Sequence, residues 1–361
     1  MTSPREPKGR GSAWTEERGT SDEGRQRLKS APEASGIAEH WPGRLVSLGD
    51  YQVYVRSVPD PQDPGEPALC VHGLEGSSRN WTALMDLLRP RLACDAVDLP
   101  GFGDSPPRPD GSYSIAALAQ TVIALIERTG HAPIHLLGNS LGGAVCVKVA
   151  ATRPDLIRTL TLISPALPDA RLRLDLLRFP LMSVPGVGAR LLRQLAQLPP
   201  ERRVADVIAN CYSDPRRFGA ARFAAEVAAL TRRDTLGYAA DALVGSVRAL
   251  TAETLRGGVP LGRPAWRDAA LITAPSLVIY GHDDRLVDAR AAGRAAHVFR
   301  NARIVVMPST GHVAHMEHPR LVAADIAVLL AAADRSVAGR SASDPSAEPE
   351  QAREFPLTPA G

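Results

Sequence analysis

The chain is poor in lysine and aromatic residues, and it has no long apolar run. Only three of its 42 basic residues are lysines (Lys8, Lys29 and Lys148), and aromatic residues make up 4% of its 361 positions. No stretch approaches the roughly 18 uninterrupted apolar residues that a membrane-spanning helix needs, so we expect no transmembrane segment. The net charge of +3 excludes a general affinity for nucleic acid. The remaining composition, 44% hydrophobic and 22% charged, is typical of a globular protein.

Cysteine is also scarce. Cys70, Cys94, Cys146 and Cys211 form no CxxC pair, and three of them fall within apolar runs. This pattern predicts buried, reduced thiols rather than disulfides or metal ligands. The N-terminal residues carry charges but lack the apolar stretch of a secretory signal, and we therefore expect a cytoplasmic location.

The chain divides into tails, a core and an insertion. Residues 1–40 and 335–361 are rich in polar residues, glycine and proline without apolar periodicity, which predicts disordered tails. Strand patterns alternate with amphipathic helices over 41–168 and 269–334, whereas 169–268 contains helix-like segments without a convincing strand. These patterns predict an α/β fold with a mostly parallel, doubly wound sheet and an inserted helical cap at 169–268.

A glycine-rich turn is the strongest local signal for chemistry. The residues Gly138-Asn139-Ser140-Leu141-Gly142 lie between a predicted strand and a predicted helix that begins at Leu141. A G-x-S-x-G pattern at a strand-to-helix junction is typical of a nucleophile elbow, in which small neighbours permit a sharp turn. We therefore expect Ser140 to be a nucleophile.

A serine nucleophile needs a base, and the base needs an acid that orients it. After the predicted cap, one strand ends in Gly281-His282-Asp283-Asp284, and the loop after the next strand contains His312. The carboxyl ends of parallel strands are where open α/β sheets bind ligands. Ser140, a carboxylate and His312 thus occur in the chain order expected of a Ser-Asp-His arrangement, with Asp283 and Asp284 both candidates for the acid.

A fourth element is His72-Gly73-Leu74, which follows a short apolar strand. A glycine-containing turn at this place is suited to aim a backbone N–H at a developing oxyanion. By position, Leu74 supplies one such N–H, and Leu141, the residue after the nucleophile, supplies the other. We expect these two residues to form the oxyanion hole.

Together, five motifs resemble the α/β-hydrolase fold superfamily with a helical cap. They occur in the order HGLEG, DLPGFGDS, GNSLGG, GHDDRLVD and GHVAHMEHP, within about residues 44–334. The resemblance implies that Ser140 is the nucleophile, Asp284 the acid and His312 the base. It favours Asp284 over Asp283 because the acid of this family usually follows the glycine by three residues. In related dehalogenases and epoxide hydrolases an aspartate is the nucleophile, so Ser140 argues against both chemistries.

We expect structural roles for the other polar residues of these motifs. His312, His315 and His318 are spaced by three, but no cysteine or carboxylate cluster completes a metal site, and we expect neither a metal nor an organic cofactor. Asp98 and Asp104 flank PGFG and are expected to fix that loop by hydrogen bonds.

The predicted cap is unusually rich in arginine. From Asp169 to Asp268 there are sixteen arginines, no lysine and ten acidic residues, with a dense run from Arg171 to Arg178. One interpretation is a solvated outer face. The other is a lid that favours anionic substrates, such as carboxylates or acyl-thioester conjugates, or that contacts an anionic membrane surface.

The sequence therefore predicts a serine hydrolase that cleaves a carboxylic ester or thioester of a small acyl substrate. A carbon–carbon bond hydrolase of ring-fission products is an alternative, because some such family members share Gly138-Asn139-Ser140. Two features argue against this alternative. The longer glycine-rich turn of those family members is replaced here by Leu74-Glu75-Gly76. The aromatic residue that we associate with their histidine loop is also absent, because Val313 follows His312. A non-catalytic ligand-binding protein is a third hypothesis, although such proteins usually lose one of the three catalytic residues.

Overall fold

The computed structural model describes residues 41–58, 65–168, 183–184, 186–255 and 264–342. The predicted tail at 1–40 lies outside the described residues, as does the arginine run from Arg171 to Arg178.

Eight strands of the described residues form one sheet. They are β1 (Gly43–Ser47), β2 (Gln52–Ser57), β3 (Glu66–Val71), β4 (Leu92–Val97), β5 (Ile134–Asn139), β6 (Ile157–Ile163), β7 (Ser276–Gly281) and β8 (Ala302–Met307). Their order is β1-β2-β4-β3-β5-β6-β7-β8. β1 and β2 form an antiparallel hairpin, and β2 is antiparallel to β4. The other six strands, β4-β3-β5-β6-β7-β8 in sheet order, are all parallel to their neighbours. The predicted α/β fold class, with a mostly parallel sheet, is confirmed.

Helices cover both faces of this sheet and fill the segment between β6 and β7. They are α1 (Thr82–Leu88), α2 (Ile115–Thr129), α3 (Leu141–Thr152), α4 (Val187–Leu195), α5 (Pro200–Cys211), α6 (Ala220–Asp234), α7 (Ala239–Leu255), α8 (Pro264–Leu271), α9 (Ala291–Val298), α10 (Ala314–Glu317) and α11 (Pro319–Ala342). None of the helices within the described ranges is both long enough and apolar enough to cross a bilayer.

The strands are apolar on both faces because helices pack on both. Leu136 and Val278 belong to the apolar cluster on one side of the sheet, and their neighbours Leu137 and Ile279 belong to the cluster on the other. Successive residues of a strand point to opposite faces, so buried parallel strands consist of continuous apolar runs. This explains why β5 and β7 could be predicted from short apolar runs alone.

The α/β core resumes before residue 269, the position at which the sequence predicts that it begins again. α8 packs against α3, with Trp266 buried in the core and an ion pair of 3.1 Å between Lys148 and Asp268. The helix thus straddles position 269, where the core was predicted to resume. We call residues 186–255, which contain α4 to α7, the inserted segment.

The last helix is longer than its apolar periodicity indicates. α11 continues to Ala342, past residue 335, where a disordered tail was predicted to begin. Asp334 anchors this region through ion pairs with Arg91 at 2.8 Å and Arg158 at 3.1 Å. Alanine and arginine favour helix without apolar periodicity, which explains the difference.

The cysteines occur as free thiols. Cys70, Cys94 and Cys146 are buried, as predicted, whereas Cys211 is only half-buried. Cys211 differs because it ends α5 at the wall of a cavity rather than within the core.

Candidate active site

Ser140 lies on a strained turn between β5 and α3. Its backbone has φ of 53° and ψ of −117°, a conformation that costs a non-glycine residue on the order of 1–3 kcal/mol. The turn is fixed to the sheet because the Ser140 N–H donates to the Ile163 carbonyl at 3.0 Å. A Cβ on Gly142 would lie 2.2 Å from the carbonyl oxygen of Val71, so glycine is required where α3 approaches β3. This is the strand–turn–helix geometry expected of a nucleophile elbow.

Asp284 and His312 lie on the loops that follow β7 and β8 and are joined by a hydrogen bond. The distance between His312 Nδ1 and Asp284 Oδ2 is 2.9 Å. The other carboxylate oxygen accepts the N–H groups of Leu286 and Val287 at 2.8 and 2.9 Å. Burial raises the pKa of Asp284, but His312 and these N–H groups outweigh it, and the pKa lies below its ordinary value. An ionised Asp284 places the proton of the neutral imidazole on Nδ1, and Nε2 is then the basic nitrogen.

The neighbouring Asp283 faces a different environment. Its Oδ2 accepts the hydroxyl of Ser213 at 2.6 Å, and its Oδ1 lies 2.8 Å from His282 Nδ1. The geometry therefore brings Asp284 rather than Asp283 to His312, which is the choice that the family resemblance implied.

The Gly73–Leu74 peptide is oriented by a buried histidine. The Leu99 N–H donates to His72 Nε2 at 2.9 Å, so the ring proton is on Nδ1, which donates to the Gly73 carbonyl at 2.7 Å. Burial lowers the pKa of His72 despite the nearby charge of an aspartate, and the ring stays neutral. In a trans peptide the Leu74 N–H points away from the Gly73 carbonyl. A Cβ on Gly73 would lie 3.0 Å from Ser140 Cβ, so this peptide passes beside the serine.

Leu141 is the first residue of α3 and is fully buried. N–H groups in the first turn of a helix have no partner within the helix and carry partial positive charge. The Leu141 N–H belongs to this set and follows Ser140 directly. The two predicted oxyanion donors, Leu74 and Leu141, thus both lie next to Ser140.

Asn139 joins two parts of the candidate site, and the sequence gave no separate indication of this contact. Its buried side-chain amide donates to the Ile163 carbonyl at 3.0 Å and to the His312 carbonyl at 3.2 Å. It therefore holds the serine turn and the histidine loop at a fixed separation. A polar side chain directly after the apolar residues of β5 was the available signal.

Glu317 connects the loop after β8 to the inserted segment. Its buried carboxylate accepts the N–H of Gly311 at 2.7 Å and the N–H groups of residues 213 and 214 at 3.2 and 2.9 Å. Beside it, the His312 N–H donates to the Cys211 carbonyl at 2.7 Å. The loop that carries His312 and the loop that follows α5 are therefore one hydrogen-bonded unit.

A cavity of about 650 Å³ opens between the sheet and the inserted segment, a size typical of small-molecule sites. Ser140, His312 and Leu74 line its floor. Apolar side chains supply much of the remaining wall, among them Val207, Ile208, Leu230, Val247, Leu250 and Met316.

The arginines of the inserted segment that line this cavity are neutralised by carboxylates. Arg232 and Arg233, at the end of α6, pair with Asp104 and Glu75 of the core, the second pair at 3.0 Å. Arg203 likewise pairs with a carboxylate of the inserted segment, that of Asp234. These arginines are therefore neither a purely solvated face nor unpaired cations. Asp104 contributes to this bridge, while Asp98 fixes its loop by accepting the N–H groups of Ser78 and Asp104.

His315 and His318, which follow His312 at intervals of three, have separate environments. The His315 ring packs on Trp81 with 4.3 Å between ring centroids, and His318 Nε2 lies 3.1 Å from the Ser309 carbonyl oxygen. Burial lowers the pKa of both rings. In the part of the chain that the structure describes, no three His, Cys, Asp or Glu side chains are placed to hold a metal ion.

A sequence model of the alpha/beta hydrolase fold family matches residues 67–319. The 2-(acetamidomethylene)succinate hydrolase of Mesorhizobium japonicum is 27% identical over 294 residues, which cover 80% of this chain and 95% of that protein. The haloalkane dehalogenase DbeA of Bradyrhizobium elkani has a TM-score of 0.65 at 23% identity, over 82% of this chain and 99% of that one. At this identity the structural likeness shows the fold alone.

Two further relatives are longer than this chain. The dihydrolipoyllysine-residue acetyltransferase components of the acetoin cleaving systems of Cupriavidus necator and Pseudomonas putida are 35% identical over 100 residues and 27% identical over 258 residues. The matches cover 28% and 70% of this chain and 26% and 60% of those proteins. The chain thus spans less than two thirds of their length.

Proposed function

Because the chain belongs to the alpha/beta hydrolase fold family, we propose that it is a serine hydrolase that cleaves a carboxylic ester or thioester through an acyl-enzyme. One observation carries this proposal. His312, which is joined to the buried Asp284 by a 2.9 Å hydrogen bond, lines the same cavity as Ser140, and Ser140 lies on a strained turn. Backbone strain of this kind persists where the surrounding structure holds a residue in place for function.

In the first half of the reaction, Ser140 Oγ attacks the carbonyl carbon of the substrate while His312 Nε2 accepts the hydroxyl proton. Asp284 holds the ring in the required tautomer and stabilises the imidazolium. The imidazolium then gives its proton to the leaving alcohol or thiol as the bond to the acyl carbon breaks. In the second half, water attacks the acyl-enzyme, His312 takes a proton from it, and the acid is released as the proton returns to Ser140.

The negative charge on the tetrahedral intermediate is stabilised by the N–H groups of Leu74 and Leu141. Donors that are fixed before the reaction need no reorganisation, and the loss of one typically raises the barrier by roughly 3 kcal/mol. Here His72 fixes the first donor through Gly73, and the first turn of α3 supplies the second. Both donors are backbone N–H groups, and neither belongs to a mobile side chain.

The cavity wall fits an apolar acyl or alkyl portion of the substrate. In this proposal residues 169–268 form a cap over a core of 41–168 and 269–334. Because carboxylates neutralise Arg203, Arg232 and Arg233, we do not assign anion selectivity to these three residues.

A fluorophosphonate probe combined with a substrate panel tests this function. We expect the probe to label wild-type protein at Ser140 and to leave Ser140→Ala unlabelled. We also expect turnover of esters or thioesters in a panel that varies chain length and charge, and loss of that turnover in Ser140→Ala. A folded wild-type protein that is not labelled, or full turnover by Ser140→Ala, contradicts the proposal. Turnover of a ring-fission dienoate in place of every ester identifies a carbon–carbon bond hydrolase.

A further inference from the structure

The residues after His72 form a tight β-turn from Gly73 to Gly76. The Gly76 N–H donates to the Gly73 carbonyl at 3.1 Å, and Glu75, the third residue of the turn, has a φ of 59°. A β-turn with a positive φ at its third residue usually has glycine there, because a side chain is strained in that conformation. A glutamate at this position is therefore explained if its side chain makes a contact that glycine cannot make.

The Glu75 side chain contacts the inserted segment. Its carboxylate forms an ion pair of 3.0 Å with Arg233, at the end of α6, and both residues line the cavity. The Arg233 side chain is 17% exposed and that of Glu75 is 37% exposed, so water screens the pair less than it screens a fully exposed one. The end of α6 is itself joined to α5, because Asp234 accepts two hydrogen bonds from Arg203, at 2.5 and 3.2 Å.

The neighbouring residue of the turn also contacts the inserted segment. The side chain of Leu74 packs against the apolar cluster of Leu243 and Val247 on α7. Both central residues of the turn, Leu74 and Glu75, thus have side chains that the inserted segment holds. On the core side, the Gly73 carbonyl accepts a hydrogen bond from the His72 ring. The peptide that carries the Leu74 N–H is therefore fixed from both parts of the chain.

The inference rests on the proposed function, in which the Leu74 N–H stabilises the tetrahedral intermediate. We propose that Glu75 and Arg233 are positioning residues, whose ion pair fixes the turn so that the Leu74 N–H is directed at the oxyanion. Such a donor acts only if it lies within hydrogen-bond distance of the place where the oxyanion forms. Loss of the ion pair should therefore weaken binding of the transition state and leave binding of the substrate unchanged.

Amide variants of the two residues test this role. The substrate is p-nitrophenyl butyrate, and turnover is expressed per site that a fluorophosphonate labels. We expect Glu75→Gln and Arg233→Gln each to lower kcat about three- to tenfold with KM unchanged, a smaller loss than that of a whole oxyanion donor. Arg233→Lys keeps the charge and should recover most of the loss. The double amide variant should lose about as much as each single variant, because both residues act through one contact.

A glycine variant separates positioning from stability. Glu75→Gly removes the carboxylate, but it also removes the strain at a φ of 59°. We expect Glu75→Gly to have a higher Tm than Glu75→Gln and a kcat that is no higher. If the ion pair only stabilises the fold, kcat should instead recover together with Tm, and this result overturns the positioning role.

Two arginine variants serve as controls. Arg232→Gln removes the neighbouring ion pair of α6, which joins the inserted segment to Asp104 and not to the turn. It should lower kcat by a smaller factor than Arg233→Gln. Arg202→Gln removes an exposed ion pair of α5 outside the cavity lining, and it should leave both kcat and KM unchanged.

Four further outcomes overturn the positioning role. An unchanged kcat in Glu75→Gln and Arg233→Gln does so, as does a loss confined to KM, which would indicate contact with the substrate. Losses that multiply in the double variant would show that the two residues act separately. Equal losses in Arg232→Gln and Arg233→Gln would show a general effect of the inserted segment.

Failure of the proposed function has a different signature. In that case wild-type protein hydrolyses no ester and is not labelled by the fluorophosphonate. Amide hydrogen exchange then tests the ion pair alone, through the Gly76 N–H that donates to the Gly73 carbonyl. We expect this N–H to exchange faster in Glu75→Gln than in Arg202→Gln. Equal exchange rates overturn the effect of the ion pair on the turn.

Discussion

His312 Nδ1 and Asp284 Oδ2 lie 2.9 Å apart, whereas the adjacent Asp283 is turned toward Ser213. Two consecutive carboxylates therefore have different partners, because the loop after β7 directs one of them to His312 and the other to Ser213. The pair Asp284 and Asp283 offers a matched comparison in which the chemical change is identical.

Asp284→Asn should lower kcat by about 10³- to 10⁴-fold, because an amide no longer fixes the tautomer of His312 or stabilises its charged form. Steady-state kinetics on an ester that wild type hydrolyses measures this effect. The control Asp283→Asn should leave kcat close to that of wild type. Equal losses in the two variants would show that the orientation of His312 does not depend on Asp284.

Replacing Ser140 by glycine should abolish turnover, and it should give a more stable protein than replacing Ser140 by alanine. Glycine adopts φ of 53° and ψ of −117° with little strain, whereas alanine retains the strain of serine. We expect Ser140→Gly to be more stable than Ser140→Ala by about 1 kcal/mol in urea denaturation. Elsewhere in a folded chain glycine is usually the less stable choice, so equal stabilities, or a more stable alanine variant, contradict the strain at this turn.

Glu317→Gln should destabilise the protein by about 2–4 kcal/mol, since the glutamine NH₂ would face backbone N–H groups that now donate to a buried carboxylate. It should also lower kcat, because the same unit positions His312. Denaturation and ester kinetics measure the two effects. The matched acid-to-amide control Asp86→Asn, at an exposed ion pair, should change stability by less than about 0.5 kcal/mol. A Glu317→Gln variant that is as stable as this control argues against a stabilising role of the hydrogen bonds that the Glu317 carboxylate accepts.

We expect the protein to lose stability in mild acid because of the buried His315 ring. Burial lowers the pKa of His315 well below its ordinary value, so the folded protein keeps the ring neutral while the unfolded chain takes up a proton below about pH 6.5. The contribution of the neutral His315 ring to the free energy of unfolding is therefore fully present above that pH, and it is lost as the pH decreases. At pH 5.5 the loss from this one group is about 1.4 kcal/mol.

His315→Phe should remove that part of the pH dependence and keep a ring on Trp81. The measurement is the free energy of unfolding of both proteins at pH 7.5 and 5.5. The other buried histidines titrate in both proteins, so the difference between the two slopes isolates His315. Parallel slopes would mean that the ring at this position does not resist protonation.

The sequence predicted the sheet, and it predicted that Ser140, Asp284 and His312 lie at the carboxyl ends of strands, because each signal is local. A strand is a short apolar run, and each of the three residues follows such a run at a glycine-containing turn. The choice of Asp284 over Asp283 needed the family resemblance, since the residues alone left both open. The later end of α11 was missed because apolar periodicity stops before the helix does.

The partners of the inserted segment could not be predicted in the same way. Glu317 bonds to residues 213 and 214, and Arg233 pairs with Glu75, across more than a hundred positions of chain. Such contacts depend on how the inserted segment lies over the core, and no local pattern specifies that path. The number of arginines is visible in the sequence, but the carboxylates that neutralise Arg203, Arg232 and Arg233 are not.

The hydrogen bonds that Glu317 accepts from the histidine loop and from residues 213 and 214 also affect how substrate range could be altered by recombination. A graft that exchanges the inserted segment for that of a relative also exchanges the backbone that the histidine loop uses as a support. Chimeras that retain the native stretch from Cys211 to Asp214 should therefore keep their chemistry, whereas those with a junction inside it should lose turnover even where the foreign segment folds. The inserted segment therefore has at least two connections to the candidate site: it lines the cavity, and it supports the backbone of the histidine loop.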